Sequence, residues 1–227
     1  MKWRTRIGIG IIFIILMSGM VFFFSRYNVD GSSEYITIRQ EPAENIILQT
    51  NVRYQETEAD NCYLDIAYLD DGEPKPLLVF VHGGSWVSGS KSDMSSFMAT
   101  FSAMGYTVAA VDYDLLNLAD ALQGECISIL DEEDCVSMAV NYLTEHSEEY
   151  QIDTEHVVLI GHSAGGQLVG HLAERIAEAP DQYEFSLSGT VLLAPPSDLR
   201  YYLYNNIQIS GLNCSLVVAS FIFDGVY

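Results

Sequence analysis

A serine flanked by glycines follows a strongly apolar stretch of this chain. Residues 161–165 read Gly-His-Ser-Ala-Gly, directly after the apolar run 156–160 and before a helical pattern. A serine between two glycines at a strand-to-helix turn is typical of a nucleophile elbow, in which the sharp turn exposes the hydroxyl at the end of the strand. The sequence therefore predicts that Ser163 is a nucleophile for acyl transfer.

A second glycine-rich stretch ends another apolar run. Residues 77–81 read Leu-Leu-Val-Phe-Val and lead into the sequence His-Gly-Gly-Ser-Trp at 82–86. Such a loop can offer backbone N–H groups to an oxyanion. On its own, it would equally suit an ordinary tight connection between a strand and a helix, but the serine motif downstream favours the oxyanion loop.

A general base for Ser163 is missing. In the chain order typical of such sites, an acid and then a histidine follow the serine, yet the last histidine is His171. None of the histidines is spaced to take a proton from Ser163, and we expect no catalytic histidine in this sequence; the five are His82, His146, His156, His162 and His171.

The N-terminus carries a long apolar run. Lys2, Arg4 and Arg6 precede residues 7–24, which contain no charged residue. This length lies at the lower edge for a membrane-spanning helix and exceeds the roughly 7–15 residues of a secretory core. A cleaved signal peptide is the alternative, but the bulky residues 22–24 suit a peptidase poorly. We therefore expect an uncleaved transmembrane helix, a single-pass membrane protein, and a domain that faces outward.

The charge balance excludes one class of partner. The chain has 10 Lys and Arg against 31 Asp and Glu, and a formal net charge of −21. Such a surface repels nucleic acid and anionic lipid headgroups, so we expect no nucleic-acid partner.

The chain has four cysteines, which can form two disulfides in three different ways. Cys126 and Cys135 are the nearest pair in sequence. The four are Cys62, Cys126, Cys135 and Cys214. The alternative for Cys135 is a small core residue on a helix face. With no C-x-x-C and no His/Cys cluster, we expect neither a metal nor a cofactor.

The pattern of elements predicts three parts: a membrane segment over 1–25, a tether over 26–44 and one domain over 45–227. In the domain, an antiparallel pair at a sheet edge is followed by strands that alternate with helices, which indicates a mostly parallel sheet covered by helices on both faces. The expected strands are 46–54, 62–69, 77–81, 106–111, 156–160 and 189–194, and the expected helices are 91–104, 131–150 with Asp131 as its cap, and one after Ser163.

The two motifs and this order resemble the α/β-hydrolase superfamily. Over residues 62–199, the chain is similar to esterases and lipases of the hormone-sensitive-lipase and feruloyl-esterase-like groups, which carry H-G-G-x-W before G-x-S-x-G. Residues 111–113 (Val-Asp-Tyr) and 151–153 (Gln-Ile-Asp) are further matches. The likeness stops at Leu199, and we expect an α/β-hydrolase fold that is incomplete at the C-terminus.

The resemblance implies roles for named residues. Ser163 would be the nucleophile, and the backbone N–H groups of Gly83, Gly84 and Ala164 would bind the oxyanion. Asp198 matches a structural aspartate of the family, and Asp224, after the β-rich run 216–223, is the candidate for the catalytic acid.

These roles predict a membrane-anchored serine hydrolase that acts on small carboxylic esters through an acyl-enzyme. The rival hypothesis is an inactive, C-terminally shortened hydrolase or a binding module, because the triad aspartate and histidine are lacking. A peptidase or amidase would share every motif.

Overall fold

The computed structural model describes residues 13–14, 22–27, 33–38, 45–55, 61–116 and 128–196. Two compact units divide the chain, residues 1–42 and residues 43–227. The candidate site lies in the second unit.

The N-terminal unit contains strands where we expected a helix. Its described residues form a three-stranded antiparallel sheet in the order β1-β2-β3, with β1 Phe13–Ile14, β2 Phe22–Tyr27 and β3 Ser33–Ile38. No helix among the described residues has the length and hydropathy needed to cross a membrane. The rest of the run 7–24 lies outside the described residues. The transmembrane helix is thus unsupported, since Phe, Ile and Val favour strands and a run without a polar face has no period that would distinguish helix from strand.

The second unit is built on a six-stranded sheet in the order β4-β5-β7-β6-β8-β9. The first two strands pair antiparallel, as does β5 with β7, whereas β6 pairs parallel with β7 and β8, and β8 with β9. The strands are β4 Ile46–Arg53, β5 Tyr63–Leu69, β6 Lys75–Val81, β7 Thr107–Val111, β8 Ile152–His162 and β9 Leu187–Leu193. The predicted mostly parallel sheet with an antiparallel edge pair is confirmed.

Helices cover both faces of this sheet, as predicted. On one face, Met94, Met98 and Phe97 contact inward side chains such as Phe80 and Ile160. On the other, Val136, Leu168 and Leu172 belong to a larger core. The helices are α1 Ser95–Ala103, α2 Ile129–Glu145, α3 Ser147–Tyr150 and α4 Ala164–Glu178, with 3₁₀ turns at Lys91–Met94 and Pro180–Gln182.

Helix α2 begins earlier than expected. Ser128 is its N-cap and accepts from the N–H of Asp131, while the Asp131 side chain accepts from the N–H of Ser128. Asp131 is therefore the third helical residue of a capping box rather than the cap itself.

Edge strand β4 is irregular. Its register with β5 shifts between Gln49 and Val52, and Asn51 has a positive φ of 56°. The Asn51 N–H donates to Asp65 Oδ1 at 2.8 Å, which holds the bulge in place.

Candidate active site

Ser163 sits on a strained turn between β8 and α4. Its φ of 52° and ψ of −117° place it outside the regions that L-residues normally occupy. Its N–H donates to the carbonyl of Leu193 at the end of the neighbouring strand, N to O 2.8 Å. The turn is thus held by β8, by α4 and by the hydrogen bond to β9, as a nucleophile elbow requires.

Glycines beside Ser163 allow this turn. A β-carbon on Gly161 would lie 2.2 Å from the carbonyl oxygen of Gly165, and one on Gly165 would lie 2.3 Å from that of His82. No side chain fits at either position, because the helix and the adjacent strand approach too closely.

The loop after β6 folds back on itself. Gly84 has a φ of 138°, and its carbonyl accepts from the N–H groups of Val87 and Ser88 at 3.2 and 3.1 Å. Ser85 and Trp86 also have positive φ values, 55° and 63°. Residues in this region of φ are uncommon outside glycine, and they often occur at functional sites.

The loop after β6 and the serine turn meet. A β-carbon on Gly83 would lie 3.0 Å from Cβ of Ser163 and 2.8 Å from the carbonyl oxygen of His162. The two motifs, which are separated by about eighty residues in the sequence, therefore line one place at the carboxyl ends of β6 and β8, where α/β sheets bind ligands.

His82, at the start of the loop after β6, is buried and contacts the loop. It is 1% exposed, its ring stacks on Tyr113 with centroids 4.4 Å apart, and its Nδ1 lies 2.8 Å from the carbonyl oxygen of Gly83. The Tyr113 hydroxyl donates to the His82 carbonyl at 3.0 Å. Burial lowers the pKa of His82, which favours the neutral ring. His82 thus shapes the loop through these contacts.

The sequence analysis did not predict that Lys91 and Asp112 interact beside the loop after β6. The N–H of Lys91 donates to Asp112 Oδ1 at 2.6 Å, and Lys91 Nζ lies 3.2 Å from Asp112 Oδ2. His82 Nε2 lies 3.8 Å from the same Oδ1. This pair connects the end of β7 to the stretch that follows the loop. Only the resemblance at 111–113 drew attention to Asp112.

No histidine hydrogen-bonds to Ser163 in the described part of the chain, which includes all five histidines. His146 Nδ1 lies 2.8 Å from the carbonyl oxygen of Tyr142, and His156 Nδ1 lies 2.8 Å from Asp153 Oδ2. His171 is bonded to the buried Glu133, and His162 is exposed.

A cavity of about 640 Å³ opens at the serine. This volume is in the usual range for small-molecule sites. Five apolar side chains form much of its wall, together with the loop and Ser163; these five are Phe80, Met94, Phe97, Ile160 and Leu193.

Some predicted residues lie outside the described part of the chain, namely Asp198, Asp224, Cys126 and Cys214. The structure also brings together a set with metal-ligand chemistry that sequence spacing did not reveal. Sγ of Cys62, Sγ of Cys135 and a carboxylate oxygen of Asp114 all lie within 4.8 Å of one another.

A family model named BD-FAE matches residues 64–201, which is more than half of the chain. The chain belongs to the BD-FAE family. This family belongs to the α/β-hydrolase superfamily, which the two motifs indicated. The resemblance inferred from the two motifs is thereby confirmed.

The chain is also similar in sequence to individual proteins. The chain is 33% identical over 95 residues to the Arabidopsis thaliana protein named "Probable isoprenylcysteine alpha-carbonyl methylesterase ICMEL1", covering 42% of this chain and 18% of the relative. It is 27% identical over 127 residues to kynurenine formamidase of Drosophila melanogaster, covering 55% of this chain and 38% of the relative.

Among solved structures, an inhibited esterase B from Lactobacillus rhamnosis shares the fold. The TM-score is 0.63 at 20% identity, and the match covers 80% of this chain and 57% of that one. The chain thus spans less than two thirds of each of these three proteins.

Proposed function

We propose that this BD-FAE member binds a small carboxylic ester in the 640 Å³ cavity and transfers its acyl group to Ser163. The observation that carries the proposal is the contact between the two motifs, in which Gly83 lies against Ser163. Acyl transfer requires the nucleophile and the oxyanion donors to reach the same carbonyl group of the substrate. The contact between the two motifs meets this requirement.

In the proposed reaction, Ser163 Oγ attacks the ester carbonyl carbon and forms a tetrahedral oxyanion. The backbone N–H groups of Gly83, Gly84 and Ala164 stabilise that oxyanion. The C–O bond to the alcohol then breaks, and the alcohol leaves with the proton that the Ser163 hydroxyl gives up. Water later hydrolyses the acyl-serine, which releases the acid and restores the hydroxyl. Loss of one such donor typically lowers the rate about 10²–10³-fold.

None of the five histidines is assigned as the general base, because four have other partners and no ring among the described residues hydrogen-bonds to Ser163. An unassisted serine is a weak nucleophile at neutral pH. The second candidate function follows from this observation: the site binds the ester and turns it over slowly or not at all.

The site chemistry fits more than one kind of acyl substrate. The names of the two curated relatives include a methylesterase and a formamidase, so an ester or an amide carbonyl would fit the same site chemistry. The apolar walls, including Phe97 and Leu193, favour an uncharged acyl group.

A fluorophosphonate probe tests the proposed nucleophile. The full chain is incubated with the probe and the modified peptide is identified by mass spectrometry, with Ser163→Ala as the test and Ser96→Ala, an exposed serine on α1, as the matched control. We expect slow labelling at Ser163, lost only in Ser163→Ala. Labelling at another serine would contradict the proposal.

Steady-state hydrolysis of a short p-nitrophenyl ester separates the two candidate functions. We expect turnover far below the roughly 1–10³ s⁻¹ of working enzymes, with a residue of about 10³–10⁴-fold over water from oxyanion and binding effects. Turnover in the enzymatic range that Ser163→Ala abolishes would show that one of the five histidines is the base.

We also propose that the apolar run 7–24 holds the chain to a lipid bilayer with the hydrolase unit on the outer side. The support is the sequence itself, in which Lys2, Arg4 and Arg6 precede an uncharged run. Alkaline carbonate extraction of expressing cells tests it, and we expect the chain in the membrane pellet. A soluble form that lacks the first 25 or so residues would contradict it.

A further inference from the structure

Two cysteines that lie far apart in the sequence are buried side by side. Cys62 directly precedes β5 and is 1% exposed, and Cys135, in the second turn of α2, is 4% exposed. Their sulfurs lie within 4.8 Å of each other, beside the Asp114 carboxylate. The Cys135 thiol donates to Asp114 Oδ2 at 3.8 Å. The structure holds both side chains as thiols.

This separation is within reach of a disulfide. A disulfide holds its sulfurs about 2.0 Å apart, so the two thiols must approach by less than about 3 Å. Rotation about the Cα–Cβ bonds moves each Sγ by distances of this order. We propose that Cys62 and Cys135 are joined by a structural disulfide that ties the start of β5 to helix α2.

The chemistry of the surroundings favours a disulfide over a metal ion. A metal bound here would require two thiolates and the Asp114 carboxylate in one buried place. Burial raises the pKa of Cys135 to about 12. Burial and the nearby Asp114 also raise the pKa of Glu132 to about 9. A divalent cation would offset that charge, but only three donor atoms converge here among the described residues, one fewer than the four ligands of a structural zinc site. A disulfide needs only the two sulfurs and leaves the place neutral.

The oxidant that the step requires is a disulfide compound, either a small molecule or a protein. The thiolate of one cysteine attacks that compound, forms a mixed disulfide and releases one thiol. The second cysteine then attacks the sulfur of the first and releases the second thiol, so that the two electrons and two protons of the cysteines end on the two released thiols. Since both sulfurs are buried in the folded chain, the exchange takes place during folding.

The bridge would also steady the region beside the candidate site. The N–H of Leu116, two residues after Asp114, donates to the carbonyl of Trp86 at 2.8 Å and to Glu132 Oε1 at 3.3 Å. Helix α2 is thereby connected through residues 114–116 to the loop after β6. A bridge at Cys135 constrains the same part of the helix.

Peptide mapping of the unsubstituted full chain tests the pairing. The chain is refolded with oxidised and reduced glutathione, alkylated, digested without reduction and analysed by mass spectrometry. We expect a linked peptide pair that contains Cys62 and Cys135. A link from Cys126 to either residue would overturn the proposal, as would alkylation of both Cys62 and Cys135 in the denatured, unreduced chain.

Thermal unfolding of variants gives a second readout. We expect Cys62→Ser to lower Tm by about 5–15 °C in the oxidised chain, with no further loss in Cys62→Ser/Cys135→Ser and little difference between wild type and variants after reduction. The control Cys126→Ser/Cys214→Ser keeps the Cys62–Cys135 link. One equivalent of Zn²⁺ in the purified wild type that is lost in Cys62→Ser would instead show a metal site and overturn the disulfide. The mapping decides even if a serine variant fails to fold.

Discussion

The indole of Trp86 donates a hydrogen bond from Nε1 to Oε1 of Gln167, N to O 3.2 Å. Trp86 belongs to the loop after β6, and Gln167 lies in the first turn of α4, four residues after Ser163. Trp86 is 2% exposed. This part-buried bond joins the proposed oxyanion loop to the helix that follows the proposed nucleophile, so each element restrains the position of the other.

A double-mutant cycle measures this bond. Trp86→Phe keeps an aromatic ring but removes the donor, and Gln167→Met removes the acceptor at similar volume. We expect each to destabilise the chain, and the double variant to lose about 1 kcal/mol less than the sum of the two. Urea unfolding supplies the free energies. Strict additivity would show that the bond contributes nothing.

Gly83→Ala tests the close approach of the loop to the serine. The new β-carbon would lie 2.8 Å from the carbonyl oxygen of His162 and 3.0 Å from Ser163 Cβ, so the loop must shift. We expect labelling of Ser163 by a fluorophosphonate to fall at least about 10²-fold, since an oxyanion donor is displaced. The matched control is Gly189→Ala in β9, where nothing lies within 4 Å of the new atom. Equal labelling of both variants would refute this role.

Glu133 and Asp134 provide a matched pair of carboxylates. Arg175 Nη1 donates to Glu133 Oε1 at 2.7 Å and to Asp134 Oδ1 at 2.8 Å. The Glu133 side chain is fully buried and also bonded to His171, whereas that of Asp134 is 54% exposed. We expect Glu133→Gln to lower the free energy of unfolding by about 1–3 kcal/mol and Asp134→Asn by less than about 1 kcal/mol. Chemical denaturation of both variants checks the order, and a larger loss in Asp134→Asn would contradict it.

We expect the buried Glu132 to make the stability of the chain depend on pH. It is fully buried, its Oε2 has no hydrogen-bond partner among the described residues, and burial raises its pKa from 4.5 to about 9. Between these values the unfolded chain loses the proton and the folded chain keeps it, so stability falls as pH rises. The slope from this residue is up to about 1.4 kcal/mol per pH unit.

Glu132→Gln should remove that slope and stabilise the chain at pH 8 relative to wild type. Urea unfolding at several pH values between 5 and 8 measures the effect, with the exposed Glu148→Gln as control. Parallel pH profiles of Glu132→Gln and wild type would show that Glu132 is already ionised in the folded chain.

Much of the fold could be predicted because its signals are local. The apolar run at 77–81 and the glycines around Ser163 report burial and close approach directly. The cap at Ser128 also had a local signal, since Ser128 stands three residues before Asp131 in a capping-box pattern. The N-terminal run 7–24 has no polar face, and so its hydrophobicity could not separate a helix from the strands found at Phe13–Ile14 and Phe22–Tyr27.

The pairs of residues that hold the candidate site together could not be predicted from local sequence patterns. Lys91 and Asp112 lie 21 residues apart, and Trp86 and Gln167 lie 81 residues apart. Contacts between elements at such separations follow no period of a helix or strand, and a single sequence cannot reveal them. The proximity of Cys62 to Cys135, which lie 73 residues apart, had no local signal either.

The bulge in β4 affects how this chain meets other copies of itself. A straight edge strand presents a regular row of N–H and C=O groups on which a second chain can add a strand. At Asn51, the backbone turns to a φ of 56°, its N–H is taken by Asp65, and its side-chain oxygen accepts from Lys91 Nζ at 2.9 Å. The bent backbone at Asn51 interrupts the regular row of backbone groups, which makes this edge a poor template for intermolecular strand addition.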